Sequence, residues 1–314
     1  MKQFFSVTIF LLTSFCIAQT DTIPQAAYKV YPKKLSVDIF TLSRSNEFEL
    51  YNETKDDRLD LIPNRKTSLG FSANYDILSF GFSFAPRFFT ENKDNKESTL
   101  YSFSTALMPG QWIHELQVFY QKGMTLYPKT SPEVYIPDVK SFKIGGKSSY
   151  IFNPNFSYRA RYFGNQRQLQ NAGSLIPSLL YNYTSLQNID ELPYNTKSKV
   201  INIAIAPAYY YNWVIEDHFL VSGGLSVGLG MTQTLAEGNN ITSLLTTSTV
   251  DLSLGYHTDT FYGGIISKGT LQKRPNSANV IANDTTRYIS FIVGYRFNAP
   301  KALKKFVQNL KEKL

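Results

Sequence analysis

The sequence has one cysteine, three histidines and, beyond its opening stretch, no long apolar run. Each shortage excludes something. A helix needs about 20 consecutive apolar residues to cross a bilayer, so no helical span is expected. Cys16 lies in the apolar stretch from Phe4, behind the basic Lys2 and ahead of Ala18 and the polar Gln19. That arrangement reads as an export signal cleaved near Ala18 rather than a membrane span. A lipid-modified cysteine wants a small residue before it, and Phe15 stands there instead. Loss of the signal leaves no thiol, which excludes disulfides and Cys-ligated metal. His114, His218 and His257 show no His-x-x-x-His spacing, so neither a metal nor a cofactor is expected.

What is abundant is aromatic. The chain carries 23 Phe and 21 Tyr, yet its mean hydropathy is only −0.21. An exported chain of this kind is either a soluble all-β protein or a barrel whose apolar face is hidden in alternation. Strands place successive side chains on opposite faces, so the test is period two. Leu78, Phe80, Phe82, Phe84 and Phe88 share one parity, against Ser79, Gly81, Ser83 and Arg87. Leu69, Phe71, Ala73 and Tyr75 oppose Ser68, Gly70, Ser72 and Asn74, with a turn after Tyr75. The pattern recurs at 101–107, 116–121, 142–152, 156–162, 201–211, 221–231, 250–256 and 289–297.

The second face decides between the two. A sandwich's outer face meets water and tends to carry Lys, Glu and Thr. Here it is Ser, Gly, Asn and Ala, as in Ser222, Gly224, Ser226, Gly228 and Gly230. Small residues suit the crowded interior of a closed barrel. Tyr75, Trp112, Tyr120, Tyr211 and Trp213 fit an interfacial aromatic girdle. Short turns are expected at 108–111, 153–155, 213–217 and 257–260, and longer loops at 89–98, 125–139, 187–198, 233–245 and 270–286. The fold expected is all-β: a single closed antiparallel transmembrane β-barrel of about 12 strands, within 10–14. Its parts are a signal (1–18), an N-terminal periplasmic segment (19–34), the barrel (35–297) and a basic helix (298–314).

That tail places Leu303, Phe306, Val307, Leu310 and Leu314 at helical spacing behind Pro300. Lys301, Lys304, Lys305, Lys311 and Lys313 against Glu312 give it +4, half of the chain's formal +8. Such a helix can lie on an anionic leaflet, dock into the barrel mouth, or stay solvated. The partners expected are outer-membrane lipid, the barrel-assembly machinery that reads a last strand such as Phe291, Val293, Tyr295 and Phe297, and a periplasmic component met by the tail. An export signal and the lack of a basic motif domain exclude nucleic acid.

Several short segments resemble a family of Bacteroidota outer-membrane barrels known as domain of unknown function 4421. They are Ile62-Pro63-Asn64 ahead of Gly70, Tyr120-Gln121-Lys122-Gly123, Tyr150-Ile151-Phe152-Asn153 and Phe156-Ser157-Tyr158-Arg159-Ala160. Gln170-Asn171-Ala172-Gly173-Ser174 and Tyr211-Asn212-Trp213-Val214-Ile215 before His218-Phe219 complete the set. The resemblance implies location and fold, and no chemistry.

By parity Arg87, Arg159, Arg161 and Arg296 point into the lumen, with Glu115, Asp251 and Asp76. A basic excess on a pore wall favours anionic solutes. The same groups equally suit an Arg–carboxylate network that braces the barrel shut. Three functions stay open: a passive channel or transporter for small solutes, anionic among them; a non-conducting structural or partner-binding barrel; and an envelope lipid enzyme. The last calls for a histidine within hydrogen-bond reach of a serine at the membrane rim. Catalysis is not expected.

Overall fold

The computed structural model describes residues 26–52, 57–63, 66–89, 92, 98–128, 132–188, 198–236, 239–277 and 280–313. The proposed signal at 1–18 lies outside these residues. The strands are β1 (Tyr28–Val30), β2 (Lys34–Asn52), β3 (Asp57–Pro63), β4 (Lys66–Tyr75), β5 (Leu78–Phe84), β6 (Thr99–Leu107), β7 (Trp112–Pro128) and β8 (Val134–Tyr150). They continue with β9 (Gln166–Gln168), β10 (Ala172–Ile176), β11 (Ser178–Gln187), β12 (Ser198–Ile205) and β13 (Ala208–Ile215). The last are β14 (Phe219–Ala236), β15 (Asn239–His257), β16 (Phe261–Ser277) and β17 (Val280–Asn298), followed by helix α1 (Lys301–Lys311).

Twelve strands close into a ring, and β17 pairs antiparallel with β2 along the whole of both, from Asn298↔Lys34 to Val280↔Asn52. Three wall strands are interrupted. Between β10 and β11 stands Pro177, and Pro207 separates β12 from β13. Proline has no N–H to give the ladder, but its carbonyl still accepts: Tyr150 N–H donates to Pro177 O and Val227 N–H to Pro207 O. Each strand therefore bends and continues. Strands β3 and β4 form the third such pair. The ladder leaving β2 at Ser36↔Asn74 returns to β2 near Glu49↔Asn283, an offset of about fourteen residues. With twelve strands, that stagger implies a tilt of roughly 40°.

The far end of the wall is built differently. The β5–β6 hairpin is short, and beyond it β3 pairs directly with β7, from Pro63↔Met124 to Leu59↔Pro128. Gly123 makes this join, at φ 83 and at a register shift between Lys122 and Met124. Only glycine takes that backbone easily, and the extra residue switches parity. Met124 and Leu126 thus turn inward onto Leu59, Leu61, Ile136 and Val139.

Outside, the wall is apolar. Leu225, Val227, Leu229, Met231, Leu252, Phe291 and Val293 are all more than half exposed, a belt that only lipid can satisfy on a closed barrel. Trp112, Tyr211, Trp213, Tyr256, Tyr295 and Phe297 stand exposed near the end that carries β1 and α1, as an interfacial girdle does. That end carries the short turns, as the periplasmic side of outer-membrane barrels does. Among the described residues no helix is long and apolar enough to cross a membrane.

Several expectations are corrected. Segments 125–139, 233–245 and 270–286 are mostly strand. There the strands run past the apolar belt, where Gln233, Asn240 and Lys273 are exposed, so no apolar alternation marks them. For the same reason β16 escapes detection, and β10–β11 is masked by its proline. Residues 156–162 are not a wall strand, and 153–155 is no short turn: both belong to an insertion at 151–171. Tyr75 is not in the girdle but buried beneath α1, with Ile77, Ala299 and Val307.

Candidate functional site

The insertion at 151–171 folds back into the short-turn end of the lumen as a plug. Its centre is a single 3-10 turn, Arg159–Tyr162, ending at Phe163 with φ 61. Strand β9 then pairs with β1, Tyr28↔Gln168 to Val30↔Gln166, so the N-terminal segment straps the plug. Gln168 holds the plug's entry to the wall: its Oε1 accepts from Ser157 N–H at 2.8 Å and from Asn212 Nδ2 at 2.9 Å.

Arg161 and Asp251 are each 1% exposed, with Nη2 2.6 Å from Oδ1. The guanidinium also donates through Nε to Ser222 Oγ at 2.8 Å and lies over the Tyr210 ring at 4.0 Å. Deep burial makes such a pair costly to break from one side. Phe163 enters a cleft where Gly255 and Gly264 face each other across β15 and β16. A Cβ on either glycine would collide with the ring. A non-glycine residue at positive φ is disfavoured, and Arg296 offsets that cost. It donates to Phe163 O and Gly164 O, both at 3.0 Å, and to Thr258 O at 2.7 Å.

The predicted luminal residues divide accordingly. Arg161, Asp251 and Arg296 come together around the plug. Arg159 belongs to the plug and donates to the carbonyls of Asp76 and Met108. Glu115 faces the lumen, 3.3 Å from Lys147 Nζ. Arg87 does not: it is exposed in the turn after β5, because the strand ends at Phe84 and parity no longer applies. Asp76 sits in the β4–β5 turn and pairs with Lys311 at 3.0 Å. The arginines named from the sequence are thus turned toward carbonyls, a carboxylate or solvent, and none forms an open selectivity wall.

Above the plug lies a chamber of mixed lining, in which Phe40, Leu42, Met108 and Ile266 stand beside serines and charged groups. A cavity of about 220 Å³ is floored by Arg159, Tyr162, Gly164 and Asn165, against a wall of Ser72, Ser79, Ser83, Ser102 and Ser104. A second, of about 170 Å³, shares Arg44, Glu115, Gln117, Lys268 and Tyr288 with the first. Sequence reading missed Arg44 and Lys268. Ser43 and Ser267 set their parity, but Arg44 and Lys268 both lie outside the segments whose apolar alternation is visible in the sequence.

The strap has its own electrostatics. In the β15–β16 turn, Asp259 accepts from Lys29 Nζ at 2.7 Å and from Tyr31 Oη at 3.0 Å. Donation from Lys29 holds its carboxyl below the ordinary 3.8. A depressed folded pKa contributes stability above the unfolded value and loses it as pH falls through the folded one. The pair is exposed, so the contribution is small. Protection of the β1 amides, corrected for intrinsic exchange rates, is expected to weaken only below about pH 4. In Asp259→Asn the same modest loss is expected already at neutral pH; unchanged protection there would contradict the assignment.

His114 Nδ1 lies 3.0 Å from Ser148 Oγ, at a cross-strand pair on the outer face, with Trp112 stacked on the imidazole. Among the described residues no carboxylate is hydrogen-bonded to this histidine. No group of three or more His, Cys, Asp or Glu among them is placed for a metal.

Helix α1 lies at the rim of the short-turn end. Val307 is buried against Tyr75, Ile77 and Ala299, with Leu303 and Leu310 packed beside it. Lys301, Lys305 and Lys313 are exposed, while Lys304 is partly covered and Lys311 is tied to Asp76.

No curated protein sequence matches the chain. Among solved structures it is similar to an outer membrane channel from Pseudomonas putida F1, with 9% identity and TM-score 0.35 over 88% of this chain and 100% of that one. It is also similar to the translocator domain of autotransporter NalP from Neisseria meningitidis, with 9% identity and TM-score 0.39 over 92% and 95%. The outer membrane protein OprG from Pseudomonas aeruginosa matches at 10% identity and TM-score 0.27 over 86% and 100%. The ring of strands, its apolar exterior and its polar interior make the chain an outer-membrane-type β-barrel. Residues 20–297 match the model of domain of unknown function 4421, and the chain belongs to that family.

Proposed function

We propose that the chain is a gated barrel of the outer membrane, admitting small solutes to its lumen and passing them only when the plug is displaced. The observation that carries this reading is the chamber, lined by charged and apolar side chains together, that ends on a plug made from the chain itself. A barrel serving only as a scaffold has no need of a chamber lined by Arg44, Glu115 and Lys268. The same reading takes residues 1–18 as a cleaved signal and a Bacteroidota envelope as the setting, supported by the Phe4–Cys16 run and the family resemblance. Liposomes carrying the wild-type chain are expected to swell slowly in isosmotic solutions of small solutes. Phe163→Ala is expected to speed this severalfold. Rapid swelling with the wild type, unchanged by the substitution, would overturn the gate.

A second reading, a partner- or lipid-binding barrel, rests on α1. Phe306 is 60% exposed beside Lys301 and Lys305, a combination suited to the headgroup region. The Ser148–His114 pair reads as two polar groups satisfying one another near the girdle. A nucleophile would need its base oriented by a third group.

A further inference from the structure

We infer that the chamber holds a binding site for a small hydroxylated oxyanion, built by Arg44 on β2 and Lys268 on β16. The two flank Tyr288 of β17 in one inward row, through the pairs Tyr288↔Arg44 and Lys268↔Tyr288. The carboxylates nearby are taken: Glu115 by Lys147 at 3.3 Å, Asp284 by Lys143 at 2.9 Å and Asp251 by Arg161 at 2.6 Å. The smaller cavity is therefore lined by Arg44, Lys143, Lys147 and Lys268 against Glu115 and Asp284, which leaves two positive charges unmatched. Among the described residues neither Arg44 nor Lys268 has a carboxylate or hydrogen-bond partner.

The Arg44 guanidinium lies over Phe119 at 4.7 Å and beside Tyr288 at 5.9 Å, and its Nε is buried without an acceptor. Aromatic faces hold the plane of the fork but do not satisfy its N–H groups, which suit the paired oxygens of a carboxylate or phosphate. Asn46 supplies an independent sign of a missing ligand. It is 2% exposed and lines the same cavity. Its Oδ1 accepts from Thr286, and its Nδ2 has no acceptor. Gln272 Oε1, also on this cavity, lacks a donor, which a ligand hydroxyl would provide. A sugar acid or sugar phosphate carries both features.

The inference rests on the solute-admitting reading above, but equilibrium binding to folded barrel in detergent tests it separately. Titration calorimetry with galacturonate and with inorganic phosphate is expected to show binding, with galactose showing none. Galacturonate alone binding identifies carboxylate as the anion; phosphate alone identifies phosphate. Lys268→Met and Arg44→Gln are each expected to weaken binding by about tenfold or more, with Lys305→Gln unchanged. Lys268 is only partly buried, so its variant stays informative if Arg44→Gln fails to fold. No binding by the wild type, equal binding of galactose, or undiminished binding by folded Lys268→Met would overturn the site. Binding with no permeation even through Phe163→Ala would keep the site and remove the transport reading; permeation through that variant without binding would do the reverse.

Discussion

Arg161→Ala is expected to release the plug while leaving the barrel wall standing. The substitution strands Asp251, 1% exposed, without its cation, and breaking a buried pair from one side costs about 3–5 kcal/mol. It also removes the cation from the face of Tyr210. Wall strands have their own ladders, so the loss falls on the inserted turn. Trypsin reports it directly, because Arg159 and Arg167 lie in the insertion. The wild-type chain is expected to resist cleavage there, and the variant to be cut at both sites with its β-sheet spectrum intact. Asp251→Asn added to Arg161→Ala is expected to recover part of the protection, since no buried charge is then left alone. A plug as resistant as wild type in Arg161→Ala would show that the pair does not hold it.

The second large effect concerns Phe163. Removing a fully buried Phe side chain typically costs about 3–5 kcal/mol, and here it empties a cleft that two glycines keep open. The reverse substitution is more specific. Gly264→Val fills the cleft from the wall, where its Cβ would meet the Phe163 ring and the backbone of Leu254, and overpacking destabilises by about 1–3 kcal/mol. Both variants are expected to expose Arg159, Arg161 and Arg167 to trypsin. In both, β16 should keep its pairing with β17. Protection of the plug in Gly264→Val would contradict the placement of Phe163.

The barrel was legible because lipid imposes a pattern on sequence. Leu225, Val227 and Leu229 alternate with Gly224, Ser226 and Gly228 wherever one face meets lipid, and no soluble sheet explains small residues opposite them. The pattern fails where the physics changes. Toward the far end, the outer faces of β15 and β16 carry polar residues such as Asn240, Thr242 and Lys273, and no apolar alternation marks the strands there. At Pro177 a ladder bond is missing, so one wall strand reads as two scraps. Inside the lumen, parity tells which way a side chain points but not what occupies the space it enters. The aromatic residues Phe156, Tyr158 and Tyr162 read as membrane-facing for that reason, whereas they pack inside the barrel. Arg161 and Arg296 were legible as inward groups, and their partners were not, because Asp251 and the Phe163 carbonyl approach them only through the tertiary fold. Arg44 and Lys268 went unread for a related reason: a lysine or arginine is a common residue in any strand, and only its neighbours' pairing leaves it unmatched.

Planar-bilayer conductance of purified wild-type chain beside the Arg161→Ala and Phe163→Ala variants tests the central claim, that the plug closes the lumen. The wild type is expected to show long closed periods with rare openings, and both variants a steady open current with a preference for anions. A steady current through the wild type, equal to that of the variants, would contradict the account.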